Sequence, residues 1–355
     1  MATPFTYDAI PGRVVFGAGS RHQLPDELDR LGAGRVLIVA GEQEDAIAAE
    51  IGAGIGDRVV GRFSGVVQHV PVEAAAEAVD LVRSSAADAV LTIGGGSATG
   101  FGKAIALEVD VPIVAVPTTY AGSEMTTIWG MTSGDHKQTG RDPTVKPVVV
   151  VYDPELTVSL PPAIAGPSGM NALAHSVEAL YGPGANPVIS VVALESIRSL
   201  VAALPAVCRR PDDLDARSDA LYGAYLAGVA LATGGTALHH KTCHVLGGMF
   251  NLNHGDMNAV VLGHAVAYNA PAIPELLERI GRVLGIGGDE VPGALFDLAA
   301  SIGAPTSLEA IGMPADGLEE AVRRVVVEAA ANVRPPEQDG IRQMLDDAFH
   351  GKRPA

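Results

Sequence analysis

Four histidines lie close together in the chain, within the stretch TALHHKTCHVLGGMFNLNHG that covers residues 236–255. His240 and His244 are four residues apart, so on a helix their imidazoles share one face. His254 follows ten residues later, directly before a glycine that lets the backbone turn. Imidazoles can bind a metal, donate hydrogen bonds to an oxyanion or transfer protons near neutral pH. The clustering therefore indicates a catalytic site rather than a set of unrelated structural histidines.

A second apolar segment, GMNALAH, contributes another imidazole and an amide. Asn171 and His175 are also four residues apart, so we expect them on one face of a second helix. Side chains from two helices can then converge on one buried site. Lys241 adjoins His240 and points about 100° around the helix from it. It either pairs with a substrate carboxylate at the rim of the pocket or lies in solvent.

A glycine-rich turn suits a phosphate-bearing cofactor. An apolar run at residues 90–93 ends in four small residues, Gly94, Gly95, Gly96 and Ser97, and we expect Ser97 to be the N-cap of a following helix. Glycines let backbone N–H groups approach a phosphate, and a helix N-terminus favours its negative charge. The GxGxxG fingerprint is absent after the first strands.

The next apolar run, residues 111–116, also ends in small and polar residues. Those expected to contact the cofactor are Thr118, Thr119, Tyr120 and Ser123. The carboxyl ends of neighbouring parallel strands form the ligand-binding edge of such sheets, so both turns are expected to serve one cofactor. The Tyr120 side chain either hydrogen-bonds a ligand or packs against neighbouring loops.

The elements that position these residues divide the chain in two. Up to about residue 155, short β-branched runs alternate with helical stretches, which predicts a parallel α/β sheet with strands at 13–16, 35–39, 58–63, 89–93, 112–116 and 147–152. Residues 156–355 have helical periodicity almost throughout. We therefore predict an α/β dinucleotide-binding domain (1–155) and an all-helical substrate domain (156–355), with the active site in the cleft between them.

Two segments of the second domain have an unusual composition. Residues 220–238 lack charge but are broken by glycines, which favours a buried helix over a membrane span. The basic tail at 349–355 is expected to be frayed.

Composition excludes several classes of function. The 355 residues are 48% hydrophobic and 18% charged, which indicates a globular protein. A formal net charge of −17 argues against nucleic acid and anionic membranes as partners. Two cysteines are too few for a disulfide framework, and the first residues do not resemble a secretion signal. We expect a cytoplasmic protein.

Taken together, the motifs resemble the iron-containing (group III) alcohol dehydrogenase family. The motifs that carry the resemblance are Gly94–Ser97, Pro117–Thr119, Asp153–Pro154, the pair Asn171 and His175, and the series His240, His244 and His254. The resemblance implies an α/β Rossmann-like N-terminal domain followed by an all-α C-terminal domain, a plan shared with dehydroquinate synthase-like proteins. It also implies a nicotinamide cofactor and a homodimer.

Within that family, the segments that begin at Thr118, Thr139, Gly169 and His239 are similar to the maleylacetate reductases. This similarity implies reduction of maleylacetate, a small dicarboxylate, to 3-oxoadipate with NADH or NADPH. The implied catalytic residues are His175, His240, His244, His254, Asn171 and Lys241. His244 matches the family position nearest the nicotinamide, and Lys137 matches a cofactor-contacting position.

Two departures from the family pattern concern the cofactors. The family's metal ligands, an aspartate and three histidines, correspond here to Asn171, His175, His240 and His254. Asn171 carries no charge, so we expect that a metal is not required; the three histidines would hold one if it binds. The acid that binds the adenosine ribose is replaced by Gly41, so use of both NADH and NADPH is expected.

Several alternatives to this activity remain. A metal-dependent alcohol or polyol dehydrogenase would share the fold. A reductase that acts on a related enedioate in a biosynthetic pathway would carry out the same type of reduction. A lyase like dehydroquinate synthase requires a carboxylate ligand and more basic residues for a phosphorylated substrate. A non-catalytic binding protein would have no use for both cofactor turns and the histidine cluster.

Overall fold

The computed structural model describes residues 5–10, 12–134 and 136–355, without the side chains of His136 and Lys137. Contacts divide the chain into one unit of Ala9–Leu160 and a second of Pro161–Ala355, which also includes the described residues before Ala9. The sequence places this boundary after residue 155. The segment beyond 155 stays with the first unit because Asp153 anchors it, accepting hydrogen bonds from Gly19 N (3.0 Å) and Arg21 Nη1 (2.8 Å).

The first unit contains a six-stranded parallel sheet and a separate antiparallel hairpin. Its strands are β1 (Arg13–Phe16), β2 (Val36–Ala40), β3 (Val59–Phe63), β4 (Ala89–Gly94), β5 (Ile113–Pro117), β6 (Ile128–Ser133), β7 (His136–Arg141) and β8 (Val149–Tyr152). The sheet has the order β1-β8-β5-β4-β2-β3, and β6 pairs with β7. All six predicted strands are present, with ends that differ by no more than two residues.

Helices cover both faces of this sheet. They are α1 (Leu24–Leu31), α2 (Asp45–Ile55), α3 (Val72–Ser85) and α4 (Gly96–Glu108). Along β2, Ile38 packs in one core with side chains of α1 and α2, whereas Leu37 packs in another with side chains of α3 and α4. Burial on both faces explains why the strands read as continuous apolar runs rather than as alternating patterns.

The strand order reverses between β2 and β4. From β2 the chain continues to β3 on one side, and then crosses back to place β4 on the other side of β2. A ligand crevice forms outside the carboxyl ends of the strands at such a topological switch point. We call the residues there the switch-point edge: Gly41 after β2, Gly94–Ser97 at the end of β4, and Thr118 after β5.

A buried lysine joins α4 to the loop that follows β5. Lys103 is 1% exposed, and its Nζ donates to the carbonyl oxygens of Ser123 (2.8 Å), Thr126 (2.9 Å) and Ile128 (2.6 Å). Burying an ammonium group is unfavourable unless such acceptors replace water. The lysine therefore fixes this loop against the helix that starts at the glycine turn.

The second unit consists of helices. They are α5 (Pro162–Ala179), α6 (Pro187–Arg209), α7 (Leu214–Gly234), α8 (Leu238–Phe250), α9 (His254–Asn269), α10 (Pro274–Leu284), α11 (Val291–Ser301), α12 (Leu318–Glu328) and α13 (Gln338–His350). One core cluster combines apolar side chains of α8, α9, α12 and α13. The predicted fold class, an α/β domain followed by a helical domain, is confirmed.

By length and hydropathy alone, α6 is long and apolar enough to span a membrane, and so is the pair of α7 and α8, which is bent by 95°. In the structure α6 packs against α5 and α7 and buries Ile189, Ile197 and Leu200 completely. Most of the uncharged segment 220–238 lies in α7, where Leu221 and Ala227 are fully buried. Core packing accounts for the apolar composition of these helices.

The expectation of a frayed tail is wrong. The helix α13 extends to His350, and the residues after it make ion pairs: Lys352 with Asp347 (2.8 Å) and Arg353 with Asp297 (2.8 Å). The basic composition that suggested a solvated end instead matches acidic groups on α11 and α13.

Replacing the buried ammonium group tests its structural role. Lys103→Met is expected to lower the free energy of unfolding by about 3 kcal/mol, because three carbonyl oxygens, one buried and two partly buried, lose their donor. Denaturant unfolding followed by circular dichroism measures this change. Arg30→Met, at a side chain on α1 that is 62% exposed, is the control. Equal losses in the two variants would show that the lysine contributes no more than an exposed cation.

Candidate active site

The glycine turn forms the N-terminus of α4. Gly94 has a φ of +140°, a conformation that side chains other than glycine rarely adopt. The helix begins at Gly96 with Gly95 as its N-cap, so the expectation that Ser97 caps it is wrong. The extended backbone of Gly95 lets the helix start early and places Ser97 within the first turn. In the described structure no side chain caps this helix, which leaves its first N–H groups for a ligand.

The turn after β5 lies directly beside the glycine turn. Thr118 N donates to the Gly94 carbonyl (3.1 Å), and a Cβ added at Gly95 would lie 3.0 Å from Thr119 Cγ2 and Oγ1. The structure thus brings together the two strand ends, as predicted. Any larger residue at position 95 would fill the space between them.

The other residues predicted to bind the cofactor are placed differently. Ser123 lies in the loop held by Lys103. The Tyr120 side chain is fully buried, which favours the packing alternative over contact with a ligand. Gly41 is buried directly after β2. The side chain of Lys137 lies outside the described residues, so its predicted contact with the cofactor stays a prediction.

The histidines converge in the second unit from three helices: α5 provides His175, α8 provides His240 and His244, and His254 begins α9. The rings of His175 and His240 stack with centroids 4.6 Å apart, and the ring of His244 lies edge-on to His240 at 6.4 Å. His254 is close enough that its charge lowers the pKa of both His175 and His240. The predicted clustering of the four imidazoles is present.

A buried glutamate that the sequence analysis missed holds this cluster. Glu178 is 0% exposed and accepts hydrogen bonds from His239 N (2.7 Å) and from His240 Nδ1 (2.7 Å). It is the single charged side chain in α5 and lies three residues after His175. An isolated charge in an apolar helix, on the face of a candidate ligand, is the signal that could have revealed it.

Burial keeps the imidazoles of His175, His239 and His240 neutral. Desolvation lowers the pKa values of His175 and His240 well below the ordinary value, and the charges of neighbouring histidines lower them further. The pKa of His239 falls to about 3 for the same reasons. Burial raises the pKa of Glu178, while His239 and backbone N–H groups oppose that shift. Buried neutral imidazoles act here as hydrogen-bond donors or as ligands, not as cations.

The unpartnered atoms of these side chains are of the kinds that bind a divalent metal. With its Nδ1 proton donated to Glu178, His240 directs a lone pair from Nε2, and Nε2 has no hydrogen-bond partner among the described residues. The same is true of His175 Nδ1 and Asn171 Oδ1, both buried. A carboxylate behind a histidine is the arrangement that orients metal ligands. The expectation that a metal is not required is therefore not supported, since it relied on the site having lost its only anion.

Glu178, His239 and His240 also form a compact group of possible ligand atoms, all within 4.8 Å of one another. Hydrogen bonds already join this group internally, and His239 Nε2 lies 3.1 Å from the Asn258 carbonyl oxygen. The group therefore orients His240 rather than offering a second set of unoccupied lone pairs.

Three residues of the site have access to solvent, and one of them, His254, is exposed at the start of α9. The other two are on α8. His244 is exposed, and Lys241 is half-buried. Within the described residues, no carboxylate forms an ion pair with the Lys241 ammonium group. Both side chains are thus accessible to a small ligand that approaches this face of the helix.

A substitution at the glycine turn tests the cofactor site. Gly95→Asp adds a side chain against Thr119 and a negative charge where a pyrophosphate must approach, so NADH affinity is expected to fall about a hundredfold. Fluorescence titration of NADH measures it. Gly54→Asp is the matched control, because a Cβ there meets nothing within 4 Å. Unchanged NADH binding by a folded Gly95→Asp protein would disprove this placement.

Comparisons with known proteins agree with this geometry. The model "Iron-containing alcohol dehydrogenase" matches residues 11–154, and "Fe-containing alcohol dehydrogenase family, C-terminal" matches residues 166–349. The maleylacetate reductases of Sphingobium indicum and Burkholderia cepacia are 47% and 48% identical to this chain, over 99% of each protein. The crystal structure of maleylacetate reductase from Agrobacterium tumefaciens, 44% identical, has a TM-score of 0.95 and covers 99% of this chain and 100% of that one. The chain belongs to the iron-containing alcohol dehydrogenase family and has its NAD(P)-dependent dehydrogenase fold.

Proposed function

We propose that this protein reduces maleylacetate to 3-oxoadipate with a nicotinamide dinucleotide. The observation that carries the proposal is the similarity to maleylacetate reductases, which extends over 99% of this chain and of each relative. The site is consistent with it, because it combines the exposed imidazoles of His244 and His254 with a cation accessible to a carboxylate. Metal-dependent alcohol oxidation is not favoured by these relatives.

The reaction places three demands on the protein. Maleylacetate is an enone flanked by two carboxylates. Hydride from the nicotinamide adds to the carbon β to the ketone, the electron pair of the double bond moves to form an enolate, and a proton then joins the carbon next to the ketone. The protein must stabilise the enolate oxygen, supply that proton and hold both carboxylates.

The exposed histidines of α8 and α9 are proposed to meet the first two demands. An imidazole N–H group stabilises a developing oxyanion, and His244 and His254 are the proposed donors because His240 Nδ1 already donates to Glu178. His244 is the proposed proton donor or substrate-positioning residue, since it is exposed and its ring lies 6.4 Å from that of His240. Glu178 orients His240 through its Nδ1 proton.

A metal bound by His175, His240 and His254, with the Asn171 amide oxygen nearby, would polarise the ketone oxygen. The sequence-based proposal that reduction needs no metal is weakened by this fit. The rate of maleylacetate reduction, measured after exhaustive dialysis against a chelator and again after addition of zinc or iron, shows whether the reaction needs a metal. A restored rate assigns catalysis to the metal, and an unchanged rate shows that hydrogen-bond donors suffice.

Lys241 is the proposed partner of a substrate carboxylate. A protein with a net charge of −17 repels a dianion at long range, so binding depends on local cations. Lys241 lies beside His240 and is half-buried, which strengthens its interaction with an anion relative to one in bulk water.

The proposal also covers the cofactor, the oligomeric state and the location of the protein in the cell. The dinucleotide pyrophosphate is proposed to bind the N–H groups of Gly94–Ser97, with NADH or NADPH as reductant. The protein is proposed to act in the cytoplasm as a homodimer, on a small molecule and without nucleic acid or membrane as partner. Its place is in the degradation of aromatic compounds, or in a biosynthetic pathway with a related enedioate.

The activity is tested by the loss of NADH absorbance in the presence of maleylacetate. We expect rapid oxidation of NADH with maleylacetate and little with lactaldehyde or glyceraldehyde. A preference for either aldehyde would contradict the proposal and would favour an alcohol dehydrogenase.

Removing the cation on α8 is expected to weaken substrate capture. Lys241→Met keeps most of the stem and deletes the charge, so kcat/KM for maleylacetate should fall roughly ten- to a hundredfold, equivalent to about 1.5–3 kcal/mol. Lys352→Met, at an exposed lysine of the tail, is the control. Steady-state kinetics and NADH titration measure the effects, and cofactor affinity should not change. If Lys241→Met retains wild-type kcat/KM, a different residue holds the carboxylate.

A further inference from the structure

A carboxylate reaches the switch-point edge although no acid follows β2 directly. The residue at the end of this strand is Gly41, and a single turn of 3-10 helix, Glu42–Glu44, comes next. Glu44 N donates to the Gly41 carbonyl oxygen (3.2 Å), which turns the chain back over the strand end. Glu44 is thereby half-buried, whereas Glu42 in the same turn is exposed.

The Glu44 side chain contacts the ends of three adjacent strands. A Cβ added at Gly41 would lie 3.1 Å from Glu44 Oε2, and one added at Gly94 would lie 3.5 Å from Oε1. The side chain of Thr118, after β5, hydrogen-bonds the same carboxyl group. The carboxylate therefore lies between β2 and β4, at the point where the strand order reverses.

The cation that acts on Glu44 has a second carboxylate partner. Arg62 on β3 forms an ion pair with Asp45 and donates to the Gly41 carbonyl oxygen (3.3 Å). Burial raises the pKa of the Glu44 carboxyl, and its hydrogen bonds together with the charge of Arg62 oppose that shift. The carboxylate of Glu44 is thus the charge that lies directly between the ends of β2 and β4, while Asp45 pairs with the guanidinium group of Arg62 on β3.

We propose that Glu44 selects NADH over NADPH. In sheets of this topology the adenosine ribose lies near the end of the strand before the switch point, where a carboxylate binds its hydroxyls. Glu44 supplies from the following turn the acid that position 41 lacks. It accepts hydrogen bonds from ribose hydroxyls and repels a 2′-phosphate.

This inference rests on the proposed binding of a dinucleotide at the switch-point edge. It replaces the expectation that the absence of an acid at Gly41 permits both cofactors. That expectation treated the strand end as the source of the charge, whereas the carboxylate reaches the edge from three residues further along the chain.

The test measures dissociation constants of NADH and NADPH by fluorescence titration, without substrate. Wild-type protein is expected to bind NADH more tightly than NADPH. Glu44→Gln keeps the shape and removes the charge, so the preference for NADH should fall at least about tenfold, chiefly through tighter NADPH binding. Glu42→Gln is the control, since it removes an equal charge from the same turn at an exposed position. It should leave the preference unchanged.

Three results would overturn the role proposed for Glu44. An equal change in both glutamine variants would show that net charge, not the position of Glu44, sets the preference, and would overturn the inference. So would an unchanged preference in a Glu44→Gln protein whose circular dichroism matches wild type. If wild-type protein binds neither dinucleotide, the proposed cofactor site itself fails and the inference fails with it.

Discussion

The candidate catalytic cluster depends on one buried carboxylate, that of Glu178. It has no exposure to solvent, and its oxygens accept from His239 N and from the ring of His240. The N–H group of His239 belongs to the first turn of α8, where backbone N–H groups have no acceptor within the helix. The N-cap residue, Ala237, has no side chain that could accept these hydrogen bonds. Glu178 therefore satisfies the helix N-terminus from a neighbouring helix, favourably aligned with the helix dipole.

The same contact determines the chemistry of the imidazoles. Because Glu178 accepts a hydrogen bond from Nδ1 of His240, the lone pair of Nε2 is directed away from the glutamate on α5, and burial keeps the ring neutral. A buried carboxylate without such partners would be strongly destabilising. Structure and function are consequently linked at this residue: the interaction that fixes the start of α8 also fixes the orientation of His240.

Periodicity in the sequence predicted most of the fold. The central strands are buried on both faces and bounded by turns, and residues after 155 are helical almost throughout, so both could be predicted from local residues. The last helix, α13, was not predicted, because the basic tail next to it suggested a solvated end. The convergence of His175, His240 and His254 followed from spacing and from the family resemblance. The proximity of the glycine turn to the turn after β5 could be predicted because parallel strands end at one edge.

Contacts between elements could not be predicted in the same way. Glu178 reaches α8 from α5, and Glu44 reaches the ends of β4 and β5 from the turn after β2, so neither role has a fixed sequence spacing. In both cases the sequence suggested that an acid is missing, at position 171 or at position 41. The structure places another carboxylate close to each site: Glu178 in the histidine cluster and Glu44 beside Gly41. Local pattern shows which side chains are available, but the packing of elements decides which of them share a site.

The proposed reaction depends on addition of hydride to the carbon β to the ketone. A single turnover with NADH deuterated at the transferred position, followed by NMR of the product, tests this step directly. We expect 3-oxoadipate with deuterium on the methylene that is next to a carboxyl group and β to the ketone. Deuterium on a newly formed carbinol carbon would contradict it, because the protein would then reduce the carbonyl group as an alcohol dehydrogenase does.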